Sequence, residues 1–416
     1  MEQRDFAGKK LLVLGGDTNM YNVVKLAKQK GAYTIVTDWY DSIASPAKLI
    51  ADEAWNVSWN DFDELFRRCS EIHIDGVITG FSEFIVDSMV RLCSSMKLPC
   101  YITKEQLELT RDKDAFKRYC QAHGVPTVKE WQQDDMSIVF PVIVKPVDRA
   151  GSIGINTAYN EEEYHLFLEQ AIELSPSKHV IVEQFMGDSL KFDCYYEIID
   201  SKVFYIGSSD TLMLSSDKGM ETKQQGWFFP SSREEEFKKN YSPIVEKMIE
   251  SMGFEFGYCT ISFFYKDGIF YAFETGFRLS GEHSYDYQRC TQGNDYMTDM
   301  LYYHLGLPLP PRSTSRTDVM MLSYNLFVNE PIDETIASLD MGDVVSEQQI
   351  KTITAYVHKG STIEKDVPKK IAMCNIVGSN TESISECIRL INKSISIKGS
   401  NGKLNLYSPL EELTFN

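Results

Sequence analysis

An apolar strand pattern that runs directly into two glycines opens this chain and constrains its fold. Residues 9–16 read KKLLVLGG, and similar strand patterns follow at 32–38 and 74–80. Between them, apolar residues recur at helical spacing, and Gly31 stands where a helix C-cap is expected. Strands and helices that alternate in this way build a parallel sheet with right-handed crossovers. We therefore predict a Rossmann-like α/β domain over about residues 1–100.

The length and charge of the chain limit what else it can be. With 416 residues it is too long for one compact core, so two or three domains are expected. Hydrophobic residues make up 43% and charged residues 25%, a balance typical of a water-soluble globular protein. The net charge of −18 argues against nucleic acid or an anionic membrane as a partner, because both repel such a surface.

The terminal and cysteine patterns favour a cytoplasmic protein. The N-terminal residues lack the apolar stretch of a secretory signal, and no apolar run approaches about eighteen residues. The nine cysteines include no CxxC pair, so we interpret them as reduced thiols rather than disulfides or zinc ligands. We expect no membrane partner, and a homodimer is the assembly that we consider.

Two further regions follow the first domain. Charged helical patterns at 106–124 lead to a strand at 140–146, and long strand patterns come later, the last of them a hairpin that turns at residues 266–268. Residues 307–318 are rich in Pro, Ser and Thr and are predicted to form a linker. Short strands and one helix after the linker predict a small α+β domain.

Lys145 is the first residue with a candidate chemical role. It lies at the end of the apolar strand FPVIVKP, and the following loop contains Gly151 and Gly154, which let a backbone approach a ligand, and Ser152, which can donate a hydrogen bond. One fixed cation beside free backbone N–H groups suits a polyphosphate. The alternative is a solvated lysine before a flexible turn.

The segment VIVEQF, residues 180–185, is a candidate adenine site. The backbone at Glu183, Gln184 and Phe185 would bind the edge of the base, while Glu183 or a nearby acid would bind a polar edge or the ribose. We include Asp193 among the candidate nucleotide-binding residues. The alternative is a strand that simply leaves the core.

The segment FETGFRLSGEH carries the most specific pattern. Glu274, Gly276 and Arg278 are spaced at i, i+2 and i+4, so period-two alternation places them on one face of a strand. A carboxylate there can hold Mg²⁺ between phosphates, and a guanidinium can clamp a transferring phosphoryl or carboxylate group. A surface ion pair is the alternative, although the apolar surroundings make a buried Glu and Arg costly without a function.

In this order the motifs resemble the ATP-grasp superfamily. A lysine in TRDKDAFK (Lys113) precedes VIVKP with its loop, VEQF, and then ExxxR after a hairpin. The resemblance covers roughly residues 1–310 and extends to the biotin-carboxylase-like, carbamoyl-phosphate-synthetase-like and amino-acid-ligase branches. It implies a mixed α/β and α+β architecture, in which a parallel-sheet pre-ATP-grasp domain covers 1–100, an ATP-grasp domain 101–310 with a mobile subdomain at about 120–185, and a closing domain 311–416.

The resemblance also implies roles for single residues. Lys113 and Lys145 would contact the phosphates of ATP, and Glu183 with the next two residues would form the adenine hinge. Glu274 would bind Mg²⁺, and Arg278 would stabilise an acyl phosphate. The mobile loop over the phosphates would comprise Gly151, Ser152, Ile153 and Gly154.

Two positions depart from the family pattern, which places an acid about a dozen residues before an ExNxR strand. Here the upstream position is Ser262 and the Asn position is Gly276. We take Glu274 and Ser262 as the metal residues. Three alternatives stay open: Mg²⁺ binds with fewer protein ligands and more water, another acid fills in, or catalysis is impaired.

Three further candidates come from the same resemblance. Glu282 and His283 in RLSGEH match a biotin carboxylase pattern in which the Glu is a general base, and a coincidental polar loop is the alternative. Because the first domain of such proteins serves the substrate, Gly15, Gly16 and Glu83 are candidates for substrate contacts, with structural turns as the alternative.

The resemblance implies an ATP- and Mg²⁺-dependent ligase that activates a carboxylate as an acyl phosphate and couples it to an amine. Such chemistry needs electrostatic clamping and positioning rather than a nucleophilic side chain. Glu282 favours a second hypothesis, a bicarbonate-activating enzyme like biotin carboxylase or carbamoyl-phosphate synthetase. Ser262 favours a third, a nucleotide-binding regulator without catalysis. The expected partners are small-molecule carboxylates and amines.

Overall fold

The computed structural model describes residues 5–147, 154–187, 189–214, 223–342, 344 and 348–413. Their helices are α1 Thr18–Gln29, α2 Phe62–Ile72, α3 Glu83–Met96, α4 Lys104–Arg111, α5 Lys113–Ala122, α6 Glu161–Leu174, α7 Glu234–Asn240, α8 Ser242–Ser251, α9 Ser284–Gln292, α10 Tyr296–His304 and α11 Thr381–Ser394, with a 3₁₀ helix at Pro46–Leu49. Within this part of the chain, no helix is both long enough and apolar enough to cross a membrane.

The strands of the described residues form four sheets. The strands are β1 Lys10–Leu14, β2 Tyr33–Thr37, β3 Glu53–Trp55, β4 Gly76–Ile78, β5 Glu130–Trp131, β6 Val142–Pro146, β7 Asn156–Ala158, β8 Val180–Gln184, β9 Leu190–Ile199, β10 Lys202–Met213, β11 Gln224–Phe229, β12 Gly257–Lys266, β13 Ile269–Gly276, β14 Met320–Val328, β15 Glu334–Asp340, β16 Ile350–Ala355, β17 Thr362–Ile363, β18 Lys369–Gly378, β19 Ser396–Gly399 and β20 Gly402–Leu404.

The first sheet is parallel, as the alternation of strands and helices predicts. Its strand order is β3-β2-β1-β4, and β1 pairs in parallel with both β2 and β4. The turn after β1 is held by Asp38, whose carboxylate accepts a hydrogen bond of 3.0 Å from the backbone N–H of Gly16. A Cβ on Gly16 would collide with the Ser45 side chain, so this position has no room for any other residue.

A small antiparallel sheet follows helices α4 and α5. Its order is β5-β8-β6-β7, and α6 covers one face. The core between them contains Trp131, Val142, Val144, Tyr164 and Val182, all of them buried. This unit presents β6 and β8, the strands that carry two of the candidate motifs, toward the rest of the chain.

The central sheet has eight antiparallel strands in the order β13-β12-β9-β10-β11-β14-β18-β16. Phe192, Phe263 and Phe270 on one face pack against Phe237 of α7. Residues of opposite parity on β9 and β12 project from the other face, toward the small sheet. The predicted hairpin is confirmed, because β12 ends at Lys266 and Asp267 and Gly268 form the turn with positive φ.

The central sheet continues past residue 311. Strands β14, β16 and β18 join it, while β15, β17, β19 and β20 form the fourth sheet. The C-terminal region therefore shares a sheet with the part before it, and the domain boundaries at about 100 and 310 stay predictions. The mixed α/β and α+β fold class, with a parallel sheet at the N-terminus, is confirmed.

Candidate active site

A cavity of about 630 Å³ lies between the small sheet and the open face of the central sheet. Its walls are contributed by β6 and β8 on one side, by β9, β12 and β13 on the other, and by the loop after β13. Most candidate residues predicted from the sequence line it, namely Lys113, Lys145, Glu183, Gln184, Phe185, Asp193, Ser262, Glu274, Gly276, Arg278 and Glu282. A cavity of this size is typical of a small-molecule site.

Two lysines hold one buried carboxylate on the small-sheet side of the cavity. Lys117 Nζ lies 2.7 Å from Glu183 Oε2, and Lys145 Nζ contacts Glu183 Oε1. Burial raises the pKa of Glu183, but the two ammonium groups outweigh it and bring the pKa to about 2. The alternative of a solvated strand-end lysine is wrong, because Lys145 is buried and paired. Burial lowers the pKa of Lys145, and the Glu183 charge opposes that shift.

Two backbone N–H groups of the predicted adenine hinge already donate hydrogen bonds within the protein. The backbone N–H of Gln184 donates to Lys129 O at 2.9 Å, and that of Phe185 donates to Pro141 O at 3.2 Å. The Glu183 carboxylate binds the two lysines, and its expected contact with the base or the ribose stays a prediction.

Three polar side chains form a row across the adjacent strands β9, β12 and β13. Ser262 is the register partner of Asp193 on one side and of Glu274 on the other. The Ser262 hydroxyl donates to Asp193 Oδ1 at 2.5 Å, and the Thr211 hydroxyl donates to Oδ2 at 2.9 Å. Burial raises the pKa of Asp193 to about 7, despite these hydrogen bonds. Ser262 therefore faces the cavity beside a carboxylate from the neighbouring strand.

The described residues contain no group of three or more His, Cys, Asp or Glu side chains placed to hold a metal ion. Asp193 and Glu274 supply two carboxylates, which are the hard oxygen donors that Mg²⁺ prefers. Mg²⁺ bound with a nucleotide needs only one or two protein carboxylates, because phosphate oxygens and water complete its shell. The oxygen donors of this row therefore fit such an ion.

Arg278 lies in the loop after β13, which corrects the expectation that it projects from the strand. The strand ends at Gly276, and the guanidinium turns back to 3.7 Å from where a Cβ on Gly276 would lie. Its Nη2 lies 3.7 Å from Glu83 Oε1 at the start of α3. The Arg278 Nε is buried and has no hydrogen-bond partner within the described part of the chain. Burial raises the pKa of Glu83, and Arg278 opposes that shift.

Glu282 and His283 point to different places. Glu282 lines the cavity, is nearly fully buried, and has a pKa that burial raises. His283 is fully buried, and its Nε2 lies 3.0 Å from Asn19 Oδ1 of the first domain. Burial lowers the pKa of His283 to about 3. Only the first residue of the pair therefore faces the candidate site.

The glycine candidates have different outcomes. Gly151, Ser152 and Ile153 lie outside the described residues. Gly154 has φ +77° and no room for a Cβ, which would lie 3.0 Å from Pro146 Cγ. Gly15 and Gly16 do not line the cavity described above, and the hydrogen bond from Gly16 to Asp38 favours the structural-turn alternative.

Two lysines near the site were missed in the sequence. Lys117 is one helical turn after Lys113 on α5, a spacing that places both on one face of the helix. Lys191 is two residues before Asp193 on β9, so strand alternation places both toward the cavity. Burial lowers the pKa of Lys191, and Asp193 and Glu274 oppose that shift. The spacing was visible in the sequence, but the partners of these lysines were not.

Known proteins resemble this chain in sequence and in fold. Residues 116–276 match the family model described as D-ala D-ala ligase C-terminus. The chain is 22% identical over 202 residues to the formate-dependent phosphoribosylglycinamide formyltransferase of Prochlorococcus marinus, covering 46% of this chain and 51% of that protein. The chain thus spans about half the length of this relative, and about 10% of the carbamoyl phosphate synthase large chain of Streptomyces coelicolor.

Solved structures share the fold over nearly the whole chain. The biotin carboxylase domain of the Hydrogenobacter thermophilus 2-oxoglutarate carboxylase, solved as a dimer with MgADP, ADP and bicarbonate, has a TM-score of 0.78 at 19% identity and covers 96% of this chain and 91% of its own. The L-amino acid ligase of Bacillus licheniformis has a TM-score of 0.75 at 18% identity and covers 94% and 98%. The family-model match over residues 116–276 and the fold shared with these structures agree with the resemblance to the ATP-grasp superfamily that was drawn from the motifs.

Proposed function

We propose that this chain is an ATP-dependent ligase that phosphorylates a carboxylate and transfers the resulting acyl group to an amine. The observation that carries the proposal is the single cavity that brings together lysines, an acidic row, Arg278 and the buried Glu282. These groups match the needs of acyl phosphate chemistry, which are cations for phosphates, oxygen donors for Mg²⁺ and a clamp for the transferred group.

The lysines would bind the nucleotide. Lys113 and Lys145 line the cavity from the small-sheet side, and their positive charges suit the phosphates of ATP. Lys145 is held by Glu183 in this structure, so binding of a polyphosphate would compete with that carboxylate for the ammonium group. Lys117 stays on the far oxygen of Glu183 and keeps its charge compensated when Lys145 moves.

The acidic row and Arg278 would act on the transferred phosphoryl group. Bound Mg²⁺ would neutralise phosphate charge and polarise the bond to the leaving ADP. The substrate carboxylate attacks the γ-phosphorus, ADP leaves, and Arg278 would clamp the acyl phosphate through two N–H groups. Within the described residues the Nε of Arg278 makes no hydrogen bond, so it can donate to the acyl phosphate.

Glu282 would accept the proton of the incoming amine. Burial raises its pKa, which moves the carboxylate toward the range in which a general base is effective. The amine attacks the carbonyl carbon of the acyl phosphate, inorganic phosphate leaves, and the proton passes to Glu282. The products are ADP, phosphate and an amide.

ADP release measured against pooled amino acids and small carboxylates, with and without an amine, tests the proposal. We expect ADP to form only when a carboxylate is present, and product to accumulate only when an amine is added. ADP formation with bicarbonate alone would favour the bicarbonate-activating alternative, which Glu282 supports. Tight ATP binding with no ADP from any pool would favour the non-catalytic regulator.

A further inference from the structure

We propose that Asp193 takes the place of the acid that the family pattern expects at position 262, so that Asp193 and Glu274 form the protein part of the metal site. The inference rests on the proposed function, because the metal would bind together with a nucleotide. It assigns the metal ligand to β9 rather than to β12.

The strand register carries the inference. Ser262 lies directly between Asp193 and Glu274 in the row across β9, β12 and β13. Neighbouring strands are about 4.8 Å apart, so a carboxylate on β9 can reach a point that one on β12 would occupy. All three side chains line the same cavity, and Gly276 at the Asn position adds no donor.

The hydrogen bonds of Asp193 fit a ligand that is held in place. Ser262 donates to one carboxylate oxygen and Thr211 to the other, at 2.5 and 2.9 Å. Each oxygen keeps further lone pairs, because a carboxylate can accept about four hydrogen bonds. Donors that orient a carboxylate in this way are typical of the groups behind a metal ligand. In this arrangement Ser262 positions Asp193 and is not itself a ligand.

The number of carboxylates is also preserved. A pattern with acids at positions 262 and 274 places two carboxylates in the row, and Asp193 with Glu274 places the same number. The row therefore keeps the two hard oxygen donors that the family pattern gives it. Of the alternatives left open by the sequence, this favours the one in which another acid replaces the missing ligand. It disfavours the one in which Mg²⁺ binds with fewer protein ligands.

Mn²⁺ binding in the presence of a nonhydrolysable ATP analogue tests the inference without turnover. Binding of the analogue in EDTA is measured first, and free Mn²⁺ is then followed by electron paramagnetic resonance. We expect Asp193→Asn and Glu274→Gln each to raise the half-saturating Mn²⁺ concentration at least about tenfold. Ser262→Ala should raise it less than either of these changes, since Ser262 acts only through Asp193 and Thr211 still donates to the other carboxylate oxygen.

A swap of the two side chains guards against a folding defect in the single variant. The double variant Asp193→Ser, Ser262→Asp moves the carboxylate one strand along and keeps a hydroxyl opposite it, so it should restore Mn²⁺ binding that Asp193→Ser alone loses. Asp200→Asn is the matched control, because it removes the same charge from the exposed turn of the same hairpin, about 23 Å along the strand. It should leave Mn²⁺ binding unchanged.

The outcomes separate this inference from the proposed function. If the analogue binds in EDTA and Asp193→Asn binds Mn²⁺ like Asp200→Asn, the inference is wrong and the proposed function stands. If Ser262→Ala weakens Mn²⁺ binding as much as Glu274→Gln, Ser262 is itself a ligand and the inference is again wrong. If no analogue binds with or without metal, the proposed function fails and the inference fails with it.

Discussion

At the scale of single residues, the pairing of Glu183 with two lysines shows what a local motif conceals. VIVKP and VIVEQF both suggested ligand contacts, and each motif also had a simple structural interpretation. The register pairs Ile143 with Glu183, which brings the Lys145 ammonium group onto that carboxylate. A helix more than sixty residues earlier in the chain supplies Lys117 to the same carboxylate. Such long-range pairing depends on the tertiary fold and has no signal in the local sequence.

Lys117→Met should lower the free energy of unfolding by about 2 kcal/mol. The change removes a nearly fully buried ammonium group that contacts both Glu130 and Glu183, and charge-assisted hydrogen bonds of this kind contribute about 1.5–3 kcal/mol each. Lys145 still compensates Glu183, which keeps the loss below that of an unpaired buried charge. Urea unfolding measures the change.

Lys104→Met is the control for Lys117→Met. Lys104 is exposed on α4, and its ion pair with Glu108 spans 3.7 Å, so its removal should change the unfolding free energy by less than about 0.5 kcal/mol. A Lys117→Met variant as stable as Lys104→Met would contradict a structural role for the buried pair.

Arg278→Lys should keep nucleotide affinity within a few-fold and lower turnover by about a hundredfold. Lysine preserves the charge but cannot clamp two oxygens from one planar group. Steady-state ADP release and analogue binding are measured on the same preparations. Glu83→Gln removes the ion-pair partner of Arg278 and leaves the guanidinium in place, so it serves as the control. If Arg278→Lys turns over at nearly the wild-type rate and Glu83→Gln is equally active, Arg278 serves only as the ion-pair partner of Glu83.

At the scale of elements, the sequence predicted the hairpin and the helical stretch at 106–124. The structure divides that stretch into α4 and α5 at Asp112, and the turn at Asp267 and Gly268 follows from turn chemistry. Strand ends were less accurate, since β13 ends before Arg278. The acidic row could not be predicted, because it depends on which strands pair and in what register. The sequence identified Ser262 as the missing acid, and the structure shows that Asp193 stands beside it.

The segment at 307–318 was predicted as a linker, and in the structure it is held by ion pairs to neighbouring elements. All of these residues are described and none lies in a helix or strand. Arg312 nevertheless contacts Glu197 of β9 and Asp299 of α10, two buried carboxylates. The segment is therefore attached to the central sheet and to α10 through one guanidinium.

Arg312→Met should destabilise the protein by about 2 kcal/mol. It leaves two buried carboxylates without their cation, a change that costs about 3–5 kcal/mol for a fully buried pair and less here because Arg312 is 27% exposed. Thermal and urea unfolding measure the loss. Arg316→Met, at an exposed position of the same segment, should be nearly neutral. Equal stability of the two variants would mean that the contacts of Arg312 contribute little.

At the scale of the whole molecule, the first domain and the central sheet share one hydrophobic core. The same buried cluster contains Leu12 of β1, Val77 of β4, Phe192 of β9 and Leu301 of α10. Two buried histidines lie at this junction. His283 approaches Asn19 of α1, and the carbonyl of His304 closes the space above Gly76 of β4. Both imidazoles are fully buried at this junction, and burial disfavours their charged form.

The burial of these two histidines predicts that the free energy of unfolding falls in acid. Burial lowers the pKa of His283 to about 3 and that of His304 to about 4, and the nearby Lys370 and Arg289 lower the first further. An unfolded histidine has a pKa of about 6.5, so between pH 6.5 and these values the unfolded chain binds more protons than the folded one. Stability is therefore complete above about pH 6.5 and falls as the pH drops toward 4. At pH 5 the loss is about 2 kcal/mol for each histidine.

The test compares unfolding free energies at pH 8 and pH 5 for the wild type and for His283→Gln. Other groups contribute to the total in both directions, since burial raises the pKa of Glu282 and so favours the folded state in acid. The difference between variants removes these shared contributions. Glutamine is neutral at both pH values and can still donate to Asn19, so His283→Gln should lose about 2 kcal/mol less than the wild type between pH 8 and pH 5. An exposed histidine supplies the control, because His165→Gln on α6 should show the wild-type pH dependence. If His283→Gln and His165→Gln fall in parallel with the wild type, His283 does not carry the acid sensitivity of the junction.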